Sequence, residues 1–250
     1  AGADLYYHIA VDAGGNVYAA GWFTSSVITF GTTTLTNGGA GTNDILLVKY
    51  DASGNAVWAK NAGGAGNDVG YKMAVDAGGN VYITGWFTSS SVNFGTIILS
   101  NAGSGYDMFV AKYDTSGNVI WAKGAGGTGS EAGYGIAADA NNNVYVTGVY
   151  DSPGVSFGSN TLTNAGLSDI FMVKYDPSGN VLWANSTGGS YEDAGNSIFI
   201  DANENIYVTG RFGSATIVAG STTLTNVSAG TNDLFIVKYD GSGNVLWAKS

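Results

Sequence analysis

The stretch that decides the fold occupies residues 107–123 and reads Asp107-Met-Phe-Val-Ala-Lys-Tyr-Asp-Thr-Ser-Gly-Asn-Val-Ile-Trp-Ala-Lys123. Its central Lys-Tyr-Asp block occurs four times, with steps of 63, 62 and 64 residues between the lysines. A second block, Asn-Val/Ile-Tyr-x-x-Gly, also occurs four times, with steps of 64, 63 and 62 residues. The lysines are Lys49, Lys112, Lys174 and Lys238, and the asparagines are Asn16, Asn80, Asn143 and Asn205. Four units of about 62 residues account for all 250 residues, and this periodicity is typical of a repeat architecture.

The second repeat predicts four β-strands. Residues 107–114 and 118–123 form two of them, joined by a turn, and residues 71–76 and 80–87 form the other two. Each segment is rich in β-branched and aromatic residues and is bounded by Gly, Asn, Asp or Ser. The Asp-x-x-Gly-Asn sequences fit a type I turn followed by a glycine in the left-handed region. A polar excursion, which carries 92–95 and 97–101, separates the two pairs of strands.

Four antiparallel strands per unit, repeated radially, describe the blade of a β-propeller. The motifs Asp-x-Phe-x-Val-Lys-Tyr-Asp-x-Ser-Gly-Asn-Val-x-Trp-Ala-Lys, Gly-Gly, Gly-Tyr-x-Ile-Ala-x-Asp and Gly-Asn-Val-Tyr-Val-Thr-Gly resemble the SBBP family of bacterial β-propeller repeats in all four units. They are more distantly similar to PQQ-type propeller repeats. The resemblance implies a propeller fold, often on secreted or surface proteins, and implies little about activity. The quinone-binding residues have no match here, so we expect no cofactor.

The spacing of the blocks predicts a single domain over residues 1–250, with repeat units at approximately 1–60, 61–123, 124–185 and 186–250. The internal connections from Lys60 to Asp76, from Lys123 to Asp139 and from Asn185 to Asp201 each span 16 residues. Counting from Lys249 through Ser250 and on from Ala1, Asp12 lies 13 positions away. This matching phase favours an all-β, four-bladed closed ring. The alternative is an open arc completed by another chain.

Composition excludes several classes of partner. The net charge of −10 disfavours nucleic acid and anionic membrane surfaces, which require a basic patch. No stretch approaches the roughly 18 to 20 apolar residues of a membrane helix, so no membrane insertion is expected. The chain has no Cys, which excludes disulfides and thiol chemistry.

A weakly charged, acidic chain rich in Gly, Asn and Thr and free of Cys is typical of bacterial or archaeal extracellular and cell-surface proteins. Ala1 is either a mature terminus left after signal cleavage or an arbitrary boundary. Asn185 and Asn226 lie in Asn-x-Ser/Thr sequences, which matter only in a host that glycosylates extracellular proteins.

Alignment of the four repeats separates constant positions from variable ones. The constant aromatic positions, such as Trp58 and Tyr18, predict packing between repeats. Three constant acidic positions predict capped turns and loops, and the lysine of each Lys-Tyr-Asp block is expected to pair with one of these acids. The three acidic positions are Asp12, Asp76, Asp139 and Asp201; then Asp44, Asp107, Asp169 and Asp233; then Asp51, Asp114, Asp176 and Asp240.

A fourth acidic position lies in the Gly-rich connection between repeats. It is occupied by Asp4, Asp68, Glu131 and Asp193. If these carboxylates converge near a ring axis, they form a candidate Ca²⁺ site, because calcium takes oxygen ligands. Each acid recurs with its own Gly-rich loop, however, so the alternative is that local amide groups satisfy each one separately.

Two variable positions are candidate binding residues. Trp22, Trp86, Val149 and Arg211 share one position, which suggests a rim where an indole could carry a sugar ring and an arginine could supply donors. His8 and Lys72 share another position, on the first strand, near the mouth of a predicted channel. A single histidine cannot build an ordinary zinc site.

The residues favour a non-enzymatic protein. Ser156 lies in a Gly-x-Ser-x-Gly sequence, but no helix follows it, so it is not a hydrolase nucleophile. A carboxylate-based glycosidase is a further alternative, which the residues disfavour, since nearly all acids are copies of the repeat pattern. We therefore expect a secreted or cell-surface binding or scaffold module for a protein or glycan partner. A self-associating subunit of an extracellular filament or surface layer is the other candidate.

Overall fold

A computed structural model describes residues 2–228 and 231–250. Ala1, the position of the possible mature terminus, lies outside this range. The described chain contains strands and turns without a helix, and consequently no helix in it has the length and apolarity needed to cross a membrane. The chain divides into two compact units, residues 1–124 and 125–250, and each unit contains two of the repeats. The single propeller domain stays a prediction.

The strands follow one another in the same order in every repeat. The first unit contains β1 (Asp4–Val11), β2 (Val17–Phe23), β3 (Val27–Phe30), β4 (Thr33–Thr36), β5 (Asp44–Tyr50), β6 (Ala56–Ala62), β7 (Asp68–Val75), β8 (Val81–Phe87), β9 (Ser91–Phe94), β10 (Ile97–Ser100), β11 (Asp107–Tyr113) and β12 (Val119–Ala125, which ends one residue into the second unit). The second unit contains β13 (Glu131–Ala138), β14 (Val144–Tyr150), β15 (Gly154–Phe157), β16 (Asn160–Thr163), β17 (Asp169–Tyr175), β18 (Val181–Thr187), β19 (Asp193–Ile200), β20 (Ile206–Phe212), β21 (Thr216–Ala219), β22 (Thr222–Thr225), β23 (Asp233–Tyr239) and β24 (Val245–Lys249).

Each repeat folds into one four-stranded antiparallel sheet and one two-stranded hairpin. Sheet 1 has the order β1-β2-β5-β6, and sheets 2, 3 and 4 repeat this order with β7-β8-β11-β12, β13-β14-β17-β18 and β19-β20-β23-β24. The four predicted antiparallel strands per repeat are confirmed. The first strand of repeat 2 begins at Asp68, earlier than predicted, and the polar excursion forms the hairpin β9–β10.

The constant glycine of the second strand is explained by a β-bulge in the first strand. In sheet 2 the register between β7 and β8 shifts between Gly70 and Lys72, so Tyr71 is the extra residue of the bulge. The bulge presses the carbonyl oxygen of Val69 against Gly85, where a Cβ atom would overlap it. Gly21, Gly148 and Gly210 meet the same obstacle in the other sheets. The sequence Tyr-x-x-Gly is therefore a steric requirement of the bulged first strand.

The Asp-x-x-Gly-Asn turns form as predicted. Asp51 accepts hydrogen bonds from the amides of Ser53 and Asn55 at 2.9 and 2.8 Å, and from the Asn55 side chain at 2.9 Å. Gly54 has a φ of +82°, in the left-handed region that glycine adopts without steric penalty. These local bonds hold the third and fourth strands of each sheet in register.

The two faces of each sheet have different roles. We call the face that carries the second-strand tyrosine, such as Tyr18, the A face, and the face that carries the residue equivalent to Phe23 the B face. In the first unit, Leu47 and Trp58 of the A face of sheet 1 share a core with Met73 and Phe109 of the B face of sheet 2. The A face of sheet 3 and the B face of sheet 4 share the equivalent core in the second unit. Repeats within a unit thus dock with an A face on a B face.

Candidate functional site

One B face presents apolar side chains to solvent. It belongs to sheet 1 and carries Tyr6, Ile9 and Val11 of β1, all exposed. Ile9 is 65% exposed, whereas Met73 and Ile198, which occupy the same position in repeats 2 and 4, are 2% and 6% exposed. The position is a packing position in the other repeats, so its exposure here leaves a docking surface open. We call this surface the open B face.

An A face is open in the same way. It belongs to sheet 4 and carries Phe199, Leu234, Ile236 and Trp247. Leu234 is 78% exposed, whereas Ile45 and Ile170 at the same position are 2% and 3% exposed. We call this surface the open A face. Exposed apolar side chains grouped on one face of a folded protein are typical of interaction surfaces.

The variable tryptophan position lies within the sheets rather than on an exposed rim. Trp22 pairs with Leu5 and Ile45 on the A face of sheet 1 and is half-buried. Trp86 is also half-buried, and its ring centroid lies 5.1 Å from that of Tyr106. Arg211 is exposed, because it lies on the open A face next to Leu234. Of the predicted rim residues, only Arg211 belongs to an open surface, and its role in binding stays a prediction.

The first-strand position places His8 on β1 and Lys72 on β7, where the charge of Lys72 reaches the imidazole. Burial lowers the pKa of the His8 imidazole, and the positive charge of Lys72 lowers it further. The Nδ1 atom of His8 is buried without a hydrogen-bond partner among the described residues. The rings of Tyr7 and Tyr71 lie 5.1 Å apart beside them. This arrangement disfavours a charged histidine, and a role of His8 and Lys72 in ligand binding stays a prediction.

The fourth acidic position is the first residue of the first strand in each sheet. This corrects the expectation that it lies in the connection between repeats. Asp68 is fully buried and accepts hydrogen bonds from the Gly64 amide at 2.9 Å and from the Ser89 amide and hydroxyl at 3.1 and 2.6 Å. The equivalent bonds reach Asp4 from Ser25, Glu131 from Gly127 and Ser152, and Asp193 from Ser214. Each carboxylate is thus held by its own repeat. Across residues 2–228 and 231–250, no three His, Cys, Asp or Glu side chains come together as a metal site. The Ca²⁺ hypothesis is left to experiment.

The second acidic position is buried and only partly satisfied in the first three repeats, whereas Asp233 of the fourth is half-buried. Asp44 accepts a hydrogen bond from the Gly38 amide at 2.8 Å through Oδ2, while its buried Oδ1 has no partner among the described residues. Burial raises the pKa of Asp44, and the nearby charge of Asp68 adds to this. Asp107 and Asp169 repeat the same pattern. These acids tie the hairpin loop to the third strand.

Lys49 and Lys174 contact a ring and a carbonyl oxygen, which corrects the expected pairing with an acid at these two positions. The Nζ atom of Lys49 lies 5.1 Å from the ring centroid of Tyr18 and donates to the carbonyl oxygen of Thr115 at 3.3 Å. Lys174 makes the same contacts with Tyr145 and the carbonyl oxygen of Gly241. The ammonium group is therefore desolvated against an aromatic face, where a cation–π contact stabilises it.

Comparison with known proteins gives distant relatives. No family model matches the chain, so the SBBP resemblance stays a prediction. The chain is 29% identical over 207 residues to an uncharacterised WD repeat-containing protein of Acanthamoeba polyphaga mimivirus. The matched region covers 70% of this chain and 15% of that protein. It is 27% identical over 172 residues to the regulatory protein FlaEY of Caulobacter vibrioides. This match covers 66% of this chain and 18% of that protein. The chain thus spans less than a fifth of the length of these relatives.

Among solved structures, the chain is similar to a protein of unknown function from Bacteroides caccae. The TM-score is 0.38 at 9% identity, over 97% of this chain and 80% of that chain.

The open faces were not predictable from the repeat alignment. Leu234 and Ile45 are residues of the same kind at the same position, and so are Ile9 and Met73. Their difference in exposure depends on which sheet follows or precedes them, and no residue type in the column signals it.

Proposed function

We propose that this chain is a non-enzymatic protein-interaction module of the propeller type that binds through its open A and open B faces. The observation that carries the proposal is the exposure of Leu234 and Ile9 at positions that pack between sheets elsewhere in the chain. Leaving such side chains in water forgoes about 1.5–3 kcal/mol for each one that a partner could bury. A partner that covers them recovers this free energy.

The relatives support an interaction role rather than catalysis. One is named for WD repeats and the other as a regulatory protein, and neither name indicates an enzyme. The acids that a glycosidase would need are engaged in turns and loops of their own repeats, as for Asp51 and Asp68. We therefore do not propose hydrolysis.

The partner that fits these faces best is a second copy of this chain. Within each unit an A face packs on a B face, so the open A face of one copy is complementary to the open B face of another. Such a contact is heterologous, and repeated heterologous contacts form either a closed ring of copies or a filament. The competing occupant of the open B face is the open A face of the same chain, whose packing there would close the ring expected from the sequence.

Two charge substitutions test this proposal. Leu234→Asp blocks the open A face and Ile9→Asp blocks the open B face, and each should weaken self-association at least about a hundredfold, because an unpaired carboxylate would be buried in the contact. An equimolar mixture of the two variants retains one good A face and one good B face. Sedimentation should therefore show a one-to-one dimer in the mixture and monomers for each variant alone.

Leu167→Asp serves as the control, since Leu167 is exposed and lies outside both faces. It should associate like the wild type. A wild type that stays monomeric at every concentration, together with a mixture that stays monomeric, would contradict the proposal and favour closure within one chain.

The self-associating filament or surface layer is the second candidate function, and the same A-to-B complementarity favours it. Electron microscopy of the wild type separates filaments from closed assemblies.

An extracellular or cell-surface location also belongs to this proposal. It is supported by the composition of the chain, and fractionation of the native host tests it. The glycan platform on Trp22 and Trp86 receives little support, because both indoles are half-buried.

A further inference from the structure

The second unit contains a cavity of about 420 Å³ between sheet 3 and the hairpin of repeat 4. It lies between β18 on one side and β21 and the β23–β24 turn on the other. The first unit has a cavity at the equivalent place, between β6 and the hairpin turn of repeat 2, of about 280 Å³. The same inter-repeat space is therefore larger in the second unit.

Two departures from the repeat pattern coincide with the larger cavity. Ala219 lines it, at a position where the other repeats carry Phe30, Phe94 and Phe157. Asn185 lines it at the position of Lys60, whose aliphatic stem lies against Gly117 in the first unit. Replacing a phenyl ring by a methyl group and a long side chain by a short one removes volume from this space. Two positions that carry large side chains in other repeats thus carry small ones here.

The lining is mixed in polarity and uncharged among the described residues. Ile170 and Met172 supply an apolar wall, and Asn185, Thr187 and Asn244 supply amide and hydroxyl groups. Burial raises the pKa of Tyr239, which also lines the cavity, to about 12, so its hydroxyl is neutral at physiological pH. A charged ligand would find no counter-ion in this lining.

Beside the cavity, next to the lining residue Gly243, one buried indole N–H lacks an acceptor among the described residues. Thr187 donates to the carbonyl oxygen of Val218 at 2.5 Å, and Asn185 donates to that of Gly243 at 3.3 Å, so these contacts bridge the two walls. The indole of Trp183 lies against Gly243, and its buried Nε1–H has no acceptor among the described residues. The equivalent indole of Trp58 donates to Thr115 at 3.1 Å. A buried donor without an acceptor is uncommon and favours a site that a ligand or water completes.

We infer that this cavity binds a neutral, hydroxylated small molecule, and specifically a neutral disaccharide or one sugar ring of it. The volume lies in the lower part of the range of about 300–1,000 Å³ for ligand sites. The C–H faces of a sugar suit the wall of Ile170 and Met172. Its hydroxyls suit the amide oxygens of Asn185 and Asn244, whose amide nitrogens donate to Gly243 and Asp240. This site is distinct from the open faces, so its fate does not depend on the proposed function.

Binding is tested with four neutral disaccharides, namely maltose, cellobiose, lactose and N,N′-diacetylchitobiose, titrated up to about 10 mM against tryptophan fluorescence and amide chemical shifts. At least one should bind, and it should shift the Trp183 indole N–H resonance. Ala219→Phe restores the residue of the other repeats and fills the cavity, and it should weaken binding at least about tenfold. Asn185→Lys restores the lysine that stands at this position in repeat 1, and it should also weaken binding. If Ala219→Phe does not fold, Asn185→Lys alone tests whether filling the cavity weakens binding.

Phe199→Ala is the matched control, because it also restores the residue of the three other repeats, at Ala10, Ala74 and Ala137, but lies on the open A face. It should leave sugar binding unchanged. The inference is overturned if none of the four disaccharides binds, or if binding is unaffected by both cavity-filling variants.

Discussion

The Trp58 indole shows how a single side chain joins two repeats. Its ring lies against Gly117 of repeat 2, and its Nε1–H donates to the carbonyl oxygen of Thr115. Lys49 reaches the same carbonyl while lying over Tyr18. One turn of repeat 2 thus receives two donors from sheet 1, in addition to the apolar contact. The constant Trp, Tyr and Lys positions act as one packing unit, which confirms the expected role of the aromatic positions.

We expect Trp58→Ala to lower the free energy of unfolding by about 3–5 kcal/mol, because it leaves a cavity between two sheets and removes one of the two hydrogen bonds to the Thr115 carbonyl. Trp247→Ala provides the comparison at the same position of sheet 4. Trp247 is 38% exposed against 7% for Trp58, so its loss should be clearly smaller. Urea unfolding of both variants measures the difference, and equal losses would show that the open A face is covered.

The turn carboxylates predict how stability depends on pH. Hydrogen bonds from the Asn205 side chain and amide lower the pKa of Asp201 from 3.8 to about 2. Because the folded-state pKa lies below the unfolded one, Asp201 stabilises the fold above about pH 4 and loses this contribution as the pH falls toward 2. The difference in urea midpoint between wild type and Asp201→Ala should therefore shrink over that interval.

Asp44 predicts the opposite trend, since burial raises its pKa. The contribution of Asp44 to the free energy of unfolding is present at low pH and is lost as the pH rises through its folded-state pKa. The urea midpoint of Asp44→Asn relative to wild type should consequently increase as the pH rises. Parallel pH profiles for the Asp44 and Asp201 variants would contradict the assignment of one as buried and the other as a turn residue.

At the scale of the strand, a bulge and a glycine depend on each other. The bulge at Tyr71 turns the carbonyl of Val69 toward β8, and only Gly85 leaves room for it. The four first strands share this geometry, so the second strand cannot carry a side chain at that point in any repeat.

Gly85→Ala should destabilise the protein by at least about 2 kcal/mol, because a Cβ atom would force the two strands apart. Gly124→Ala is the control, since an added Cβ there meets its nearest atoms at 3.6 Å, an ordinary contact. Thermal unfolding should show a large decrease for the first variant and little change for the second. A tolerated Gly85→Ala would mean that the bulge is not fixed.

Much of the fold was predictable because each repeat contains local signals. Lys-Tyr-Asp followed by Ser-Gly-Asn marks a strand, a turn and another strand, and the structure has them at β11 and β12. The hairpin β9–β10 was missed, because Val92 and Phe94 are buried within a segment that is polar on average. Ala219 was a visible departure from a phenylalanine column, so the cavity had a sequence signal, whereas the open faces had none.

At the scale of the whole molecule, the fourth acidic position decides whether a metal is needed. Asp68 and Asp193 have their amide and hydroxyl donors within their own repeats. A cation that bound only the folded state would stabilise it by mass action, by about 2.7 kcal/mol at a hundred times its dissociation constant. The local donors remove the need for such a cation.

A chelator should therefore leave the thermal midpoint unchanged, and added Ca²⁺ should not raise it. Differential scanning calorimetry with EDTA and then with Ca²⁺ measures this, and Asp68→Asn is the matched variant. A midpoint that rises by several degrees with Ca²⁺ in the wild type, and not in Asp68→Asn, would establish the metal site instead.

Every sheet is built from consecutive segments of the chain; sheet 2, for example, uses only strands between Asp68 and Ala125. Folding can therefore nucleate in any repeat and spread to its neighbours, with only short loops to close. A tandem duplication of one repeat's coding segment would add another sheet without rearranging any strand pairing. Such an insertion would again end in one A face and one B face, so a lineage can change its number of repeats while keeping the way they stack.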